Sequence, residues 1–313
     1  MAGLFLRDRT LRFADLRESV LYGADLMHAD LRSAWLSDAQ LSNSRLDFAL
    51  LEDARLERAQ LQRATLKFAN LVKANMSRAV LRGADLEDAQ LSDALLDEAQ
   101  LQGAFLERAD LQGAQLFATE LDGAWLYAAN LRGAALEQAR LPATALYAAH
   151  LQGAVFRYTD LTGSSLFGAD IRGVLFDAVT FRLADFVQSK IGVWQGRRTS
   201  FSVSPMAEDH VLHDHMGGWP EPPPGEEYER ELAMKLKELG CADSFVAVGI
   251  LQRFGLGTEA GRLFVEEFPV EPPYQEAMRL RIVHDFDAAR KNEADCPGLS
   301  GIDVKALAKR VQE

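Results

Sequence analysis

The chain has 313 residues, 48% of them hydrophobic and 26% charged, a globular composition long enough for one large domain or two ordinary ones. Its net charge of -12 is unevenly divided: residues 1–200 carry 22 basic against 25 acidic side chains, and residues 201–313 carry 12 against 21. Neither half has the positive balance of a general nucleic-acid binder, no apolar run of about 18 residues spans a membrane, and "MAGLFLRDRTLRF" lacks the apolar core and cleavage site of a signal peptide.

From Leu6 to Ile191, every fifth residue is apolar. Of these 38 positions 31 are Leu, and the rest are Met76, Phe156, Ile171, Phe176, Phe181, Phe186 and Ile191. The residue two before each is Ala in 27 cases, and most exceptions are Ser, Thr or Val. A period of five suits neither standard element. On a helix the leucines would rotate by about 140° per step and spiral around every face. On a flat strand they would alternate between faces. A chain that runs straight for a few residues and then turns a corner accepts it. Ala and the Leu two residues later then point to one side, inward, and successive corners build a coil.

The words "GADLMHADLRSAWL", "GADLEDAQL" and "FANLVKANM" resemble the pentapeptide-repeat proteins over roughly residues 4–191. The resemblance implies an all-β right-handed quadrilateral β-helix with twenty residues per coil. The 38 repeats would make 9–10 coils, a rod on the order of 45 Å long at a strand spacing of about 4.8 Å. Its inward centres on one side are Leu26, Leu46, Leu66, Leu86, Leu106, Leu126, Leu146 and Leu166. At its start the array has no amphipathic helix before it, and an open coil edge invites pairing. Two readings stand side by side: a homodimer through that end, or the C-terminal part of a larger, membrane-tethered protein.

The expected domains are a β-helix at 1–194, a Gly/Pro-rich linker at 195–225 and an acidic α-helical domain at 226–313. "EEYERELAMKLKELG" places Tyr228, Leu232, Leu236 and Leu239 on one helix face and stops at Gly240. "DSFVAVGILQRFG" starts on Asp–Ser, and "GTEAGRLFVEEF", "PPYQEAMRLRIVHDFDAARKNE" and "GIDVKALAKRVQE" supply three further helices of a small bundle. Cys241 and Cys296, distant in sequence, fit free buried thiols in a reducing cytoplasm, with one disulfide as the alternative.

No catalytic motif is present, so no catalytic, cofactor-binding or metal residue is assigned and no cofactor is expected. His210, His213 and His215 lie close enough to consider a metal, but their spacing matches no standard site, and a polar linker explains them. Asp85, Glu87, Asp88, Asp93, Asp97 and Glu98 fall at positions expected to face water. Gly113, Gly133, Gly153 and Gly173 form a corner column explained by backbone geometry. With twenty residues per coil, Tyr127, Tyr147 and Phe167 stack in one outward column beside Phe105 and Trp125. That column is the candidate protein-binding surface, unless the C-terminal segment folds back over it. The expected function is a non-catalytic, cytoplasmic scaffold that binds proteins and no nucleic acid directly. The alternative, implied by resemblance to the quinolone-resistance group, is a DNA-mimicking binder of gyrase; a rod of net charge -3 and the lack of a projecting loop argue against it.

Overall fold

The computed structural model describes residues 4–184, 186, 189, 226–253, 284–289 and 296–299. Residues 4–184 form the rod. Each residue in a bridge position pairs in parallel with the residue twenty further on, from Phe5↔Asp25 through Asp160↔Thr180. In two places the bridges lengthen into short strands, β1 (Val155–Arg157) and β2 (Leu175–Asp177), paired Phe156↔Phe176. The coil therefore repeats at twenty residues.

Four corners divide each coil. Every fifth residue from Asp8 to Leu183 has positive φ, between 52° and 72°, and 26 of these 36 are not glycine. The left-handed conformation costs a side-chain-bearing residue roughly 1 kcal/mol, so the stack must outweigh it. It does so by backbone pairing. In one side, Leu46 N donates to Thr65 O (2.7 Å), Phe48 N to Lys67 O (2.9 Å), Thr65 N to Ser44 O (3.0 Å), and Ala49 N closes the turn on Leu46 O (3.0 Å). The one amide per side left over sits just after the inward Leu. Where an Asp or Asn stands two residues earlier it takes this amide up, as Asp85 does for Glu87 N (3.2 Å) and Asn70 for Val72 N (3.2 Å).

The interior is the Leu and Ala ladder. The expected centres Leu26 to Leu166 are all at most 1% exposed. Each fully buried Leu contributes about 1.5–3 kcal/mol relative to an exposed one. Where Ser or Thr replaces the inward Ala, its hydroxyl donates to a buried carbonyl: Thr119 to Leu96 O (2.9 Å), Thr144 to Leu121 O (2.8 Å), Thr159 to Leu136 O (2.9 Å). Toward the C-terminal end the centres enlarge to Phe156, Phe176 and Phe181, whose rings pack in tilted and edge-on contacts 5.3 and 5.0 Å apart.

Two helices follow, α1 (Glu226–Ala242) and α2 (Ser244–Arg253). A helical stretch at 284–289 and a 3-10 turn (Pro297–Leu299) pack with them. α1 runs through Gly240, the expected stop, because Gly240 is held inside the module. A Cβ there would lie 2.7 Å from the Phe286 ring and 3.3 Å from Ala247 Cα. Asp243 starts α2 by accepting from the amides of Phe245 (2.8 Å) and Val246 (3.4 Å). The expectation of free thiols is corrected: Cys241 and Cys296, 55 residues apart, form a disulfide. Sequence distance concealed the contact because the module's fold brings the end of α1 against the turn after Cys296. The linker at 195–225, the three histidines within it, the helices expected at 257–268 and 301–313, and most of that expected at 272–293 lie outside the described residues.

Candidate docking faces of the rod

Leu232, Ala233 and Leu236 of α1 and Val246, Ala247 and Ile250 of α2 are buried in one cluster with Phe286, Cys296 and Leu299 and with the rod corners Ala143 and Leu183. The helical module thus lies along one corner of the rod. That corner reads Gly23, Asn43, Arg63, Gly83, Gly103, Gly123, Ala143, Gly163 and Leu183. From Gly83 onward its glycines serve a different purpose from those of the column Gly113–Gly173, whereas a Cβ at Gly23 would meet nothing among the described residues. At Gly133 and Gly153 an added Cβ would meet nothing within 4 Å. At Gly103 it would run into the backbone carbonyl of Phe245. At Gly83 it would meet the Phe245 ring, at Gly123 the Val246 Cα and carbonyl oxygen at 3.0 Å, and at Gly163 Leu232 at 3.4 Å. Since most corners tolerate a side chain at positive φ, the missing Cβ here is explained by close approach of the helices.

One end of this seat is polar. The Arg82 guanidinium pairs with Asp243. Arg63 and Arg82 place their guanidinium carbons 5.3 and 5.0 Å from the centre of the Phe245 ring. Beside it, Gln102 Nε2 donates to Glu120. Arg82 Nε, Gln102 Oε1 and Trp125 Nε1 are buried and, among the described residues, have no hydrogen-bond partner.

The column expected to face a partner is not exposed. Trp125, Tyr127, Tyr147 and Phe167 are at most 4% accessible, with Phe105 partly buried against them. Trp125 and Tyr147 pack at 5.8 Å, Tyr147 and Phe167 at 6.5 Å. The twenty-residue stacking is as expected; the surface role is corrected. An outward slot on a coil is not by itself an exposed one, and these side chains are buried in a cluster of their own.

The neighbouring band is ionic. Arg108 bonds Asp88 (2.7 Å), Glu87 (2.6 Å) and Glu107 (2.5 Å), and Lys67 bonds Glu87 (2.6 Å) and Asp85 (3.0 Å). Glu87 and Asp88 were expected to face water, yet they serve this network. Burial pushes the Glu107 carboxyl up to about 7, because Arg108 is already shared and Glu87 and Asp88 repel a further charge. Burial also opposes the ionised form of Glu87, but its hydrogen bonds to Lys67 and Arg108 hold it below the usual carboxylate range. The remaining carboxylates pair mostly across coils, as Asp38 with Arg58 (2.6 Å) and Glu98 with Arg78 (2.9 Å).

Large apolar side chains are exposed chiefly on the first coils: Phe5, Phe13, Val20, Tyr22, Trp35, Phe48 and Phe68. His28, Phe48 and Phe68 occupy one corner column and stack at 5.0 and 4.9 Å with nearly parallel rings. Trp35 lies between the Arg17 and Arg55 guanidiniums. These residues share the period-twenty signal that marks Tyr127 and Tyr147, and a coil-by-coil alignment of the sequence brings them out. Among the described residues no group of three or more His, Cys, Asp or Glu could hold a metal ion, and no helix is long and apolar enough to cross a membrane.

A family model for pentapeptide repeats matches eight copies, over residues 10–43, 39–78, 59–97, 94–133, 129–166 and 145–182. The chain belongs to the pentapeptide-repeat family. Among solved pentapeptide-repeat structures it is similar to HetL, involved in heterocyst differentiation regulation in the cyanobacterium Nostoc sp. strain PCC 7120, with 30% identity over 61% of this chain and 85% of HetL and a TM-score of 0.41. It is similar to QnrB1, a plasmid-mediated fluoroquinolone resistance protein, with 21% identity, 62% and 92% coverage and a TM-score of 0.42. A third relative, from the Arabidopsis thaliana thylakoid lumen, shares 34% identity over 29% of this chain and 64% of its own, with a TM-score of 0.29. No curated protein matches the sequence.

Proposed function

We propose that this pentapeptide-repeat protein is a non-catalytic scaffold whose rod binds other proteins through its first coils. The observation that carries this reading is the exposed aromatic surface there, above all the His28–Phe48–Phe68 stack, with Phe48 and Phe68 44% and 45% accessible. Exposed apolar residues stacked on one corner, as these are, favour an interface, whereas scattered ones need no explanation. A second copy of the chain is one occupant of this surface, since Phe5 and Val20 expose 73% and 69% of their area on the first described coil. The DNA-mimic reading finds less support, because Glu87, Asp88 and Glu98 spend their charge on Lys67, Arg108 and Arg78. Pull-down and light scattering of Phe48→Ser/Phe68→Ser against the unaltered protein test the proposal. Loss of bound protein or of self-association is expected; an unchanged partner set and unchanged mass would remove it.

A further inference from the structure

The seat beneath α2 does more than accommodate a helix. Asp243 caps α2 with one oxygen and meets Arg82 with the other, and Phe245, two residues on, lies against Arg63 and Arg82 over two corners that have no Cβ. The rod thus reads three features at once: a helix start, a carboxylate at its cap and an aromatic ring two residues later. The fit is incomplete on the rod side. Arg82 Nε and Gln102 Oε1, next to the Gly83 and Gly103 corners, are buried and among the described residues have no hydrogen-bond partner, an arrangement that disfavours the resident fit. A segment that met those groups as well as the ring and the carboxylate would bind better than the resident one.

We infer that the corner Arg63–Gly83–Gly103–Gly123, with Arg82 and Gln102, is a recognition site for helices that begin Asp-Xaa-Phe, and that α2 occupies it in cis as a displaceable ligand. The partner is a protein whose exposed helix carries an acidic N-cap and a Phe at the second helical position. Bound in trans, it replaces the α2 start and lifts the helical module from the rod. This site lies apart from the Phe48–Phe68 column, so failure at one leaves the other standing.

The test uses a fluorescent synthetic peptide of residues 241–253 with Cys241→Ser, titrated by anisotropy into the full-length chain. Saturable binding is expected to the Asp243→Asn/Phe245→Ala protein, whose cis ligand is weakened while its rod is intact. The unaltered protein should bind at least about tenfold more weakly, since cis occupancy divides the apparent affinity. Adding Arg82→Gln or Gly103→Val to the double variant should abolish binding, as should Phe245→Ala in the peptide. If the double variant loses helical circular dichroism, Asp243→Asn alone takes its place, because Asn caps as well as Asp. No saturable binding to the folded variant, equal binding to the unaltered protein, or binding indifferent to Gly103→Val would each overturn the inference.

Discussion

Leu86 and Asp53 occupy different slots of the five-residue repeat and differ completely in environment: Leu86 is 1% exposed in the interior, and Asp53 is exposed at a corner. Leu86→Asp removes a buried side chain and leaves a carboxylate without water, a loss of at least about 4 kcal/mol that should prevent soluble folding. Asp53→Ala should move the melting temperature little. Equal melting of the two variants would contradict the repeat register. Glu107 makes a pH prediction. Burial holds its carboxyl at about 7 in the folded chain, against an ordinary value of 4.5. A raised acid binds its proton more tightly in the folded state, so its contribution is full below about pH 4.5 and lost as pH rises through about 7. The whole effect is of order 3 kcal/mol at most. Glu107→Gln should therefore flatten the fall in urea stability between pH 5 and 8, and an unchanged slope would show that Glu107 is not the group responsible. The inward Leu and Ala could be read directly from the sequence because packing tolerates only a few residue types there. The role of Glu107 could not, since it depends on which coil lies above and what covers the side.

Among the elements, the corner glycines separate two causes that look alike in sequence. Gly103 and Gly133 both have positive φ, 61° and 66°. Gly133→Ala should cost about 1 kcal/mol, the backbone penalty alone. Gly103→Ala adds a collision with the Phe245 carbonyl and should in addition loosen the helical module from the rod. Protease sensitivity of residues 226–253 reads the difference; equal sensitivity in the two variants would argue against the seat. The disulfide acts on the same module. By the chain-entropy model a loop of this size contributes on the order of 4 kcal/mol. Cys296→Ser, or reduction, should lower the helical unfolding transition and leave the rod's transition in place; a single shared shift would mean that rod and module unfold together. α1 and α2 were legible as helices from their period and from Asp243. The glycine column at 83, 103, 123 and 163 carried the docking signal openly, but glycine at a corner has a sufficient local reason, and the second reason appears only when α2 is in place.

For the whole molecule, the rod is a stack in which each coil pairs with its neighbours, so the surface is what distinguishes one region from another. Cross-coil ion pairs occupy much of it and contribute little each, about 0–1 kcal/mol when exposed. The helical module covers the middle and C-terminal coils along one corner, and most of the exposed aromatics lie on the first coils. The sequence showed the aromatic column 125–167 as readily as it showed Phe48 and Phe68. It did not show that the first is buried and the second exposed, because burial depends on what packs over each side and not on the repeat. The central claim, that the module seats its α2 start on the Gly83–Gly103 corner of its own rod, is open to one direct measurement. With photoreactive benzoylphenylalanine in place of Phe245, irradiation and peptide mass spectrometry should place adducts within one chain, on peptides containing Arg63, Arg82, Gly83 or Gly103. Adducts on the Gly113–Gly173 column, or adducts only between chains, would contradict it.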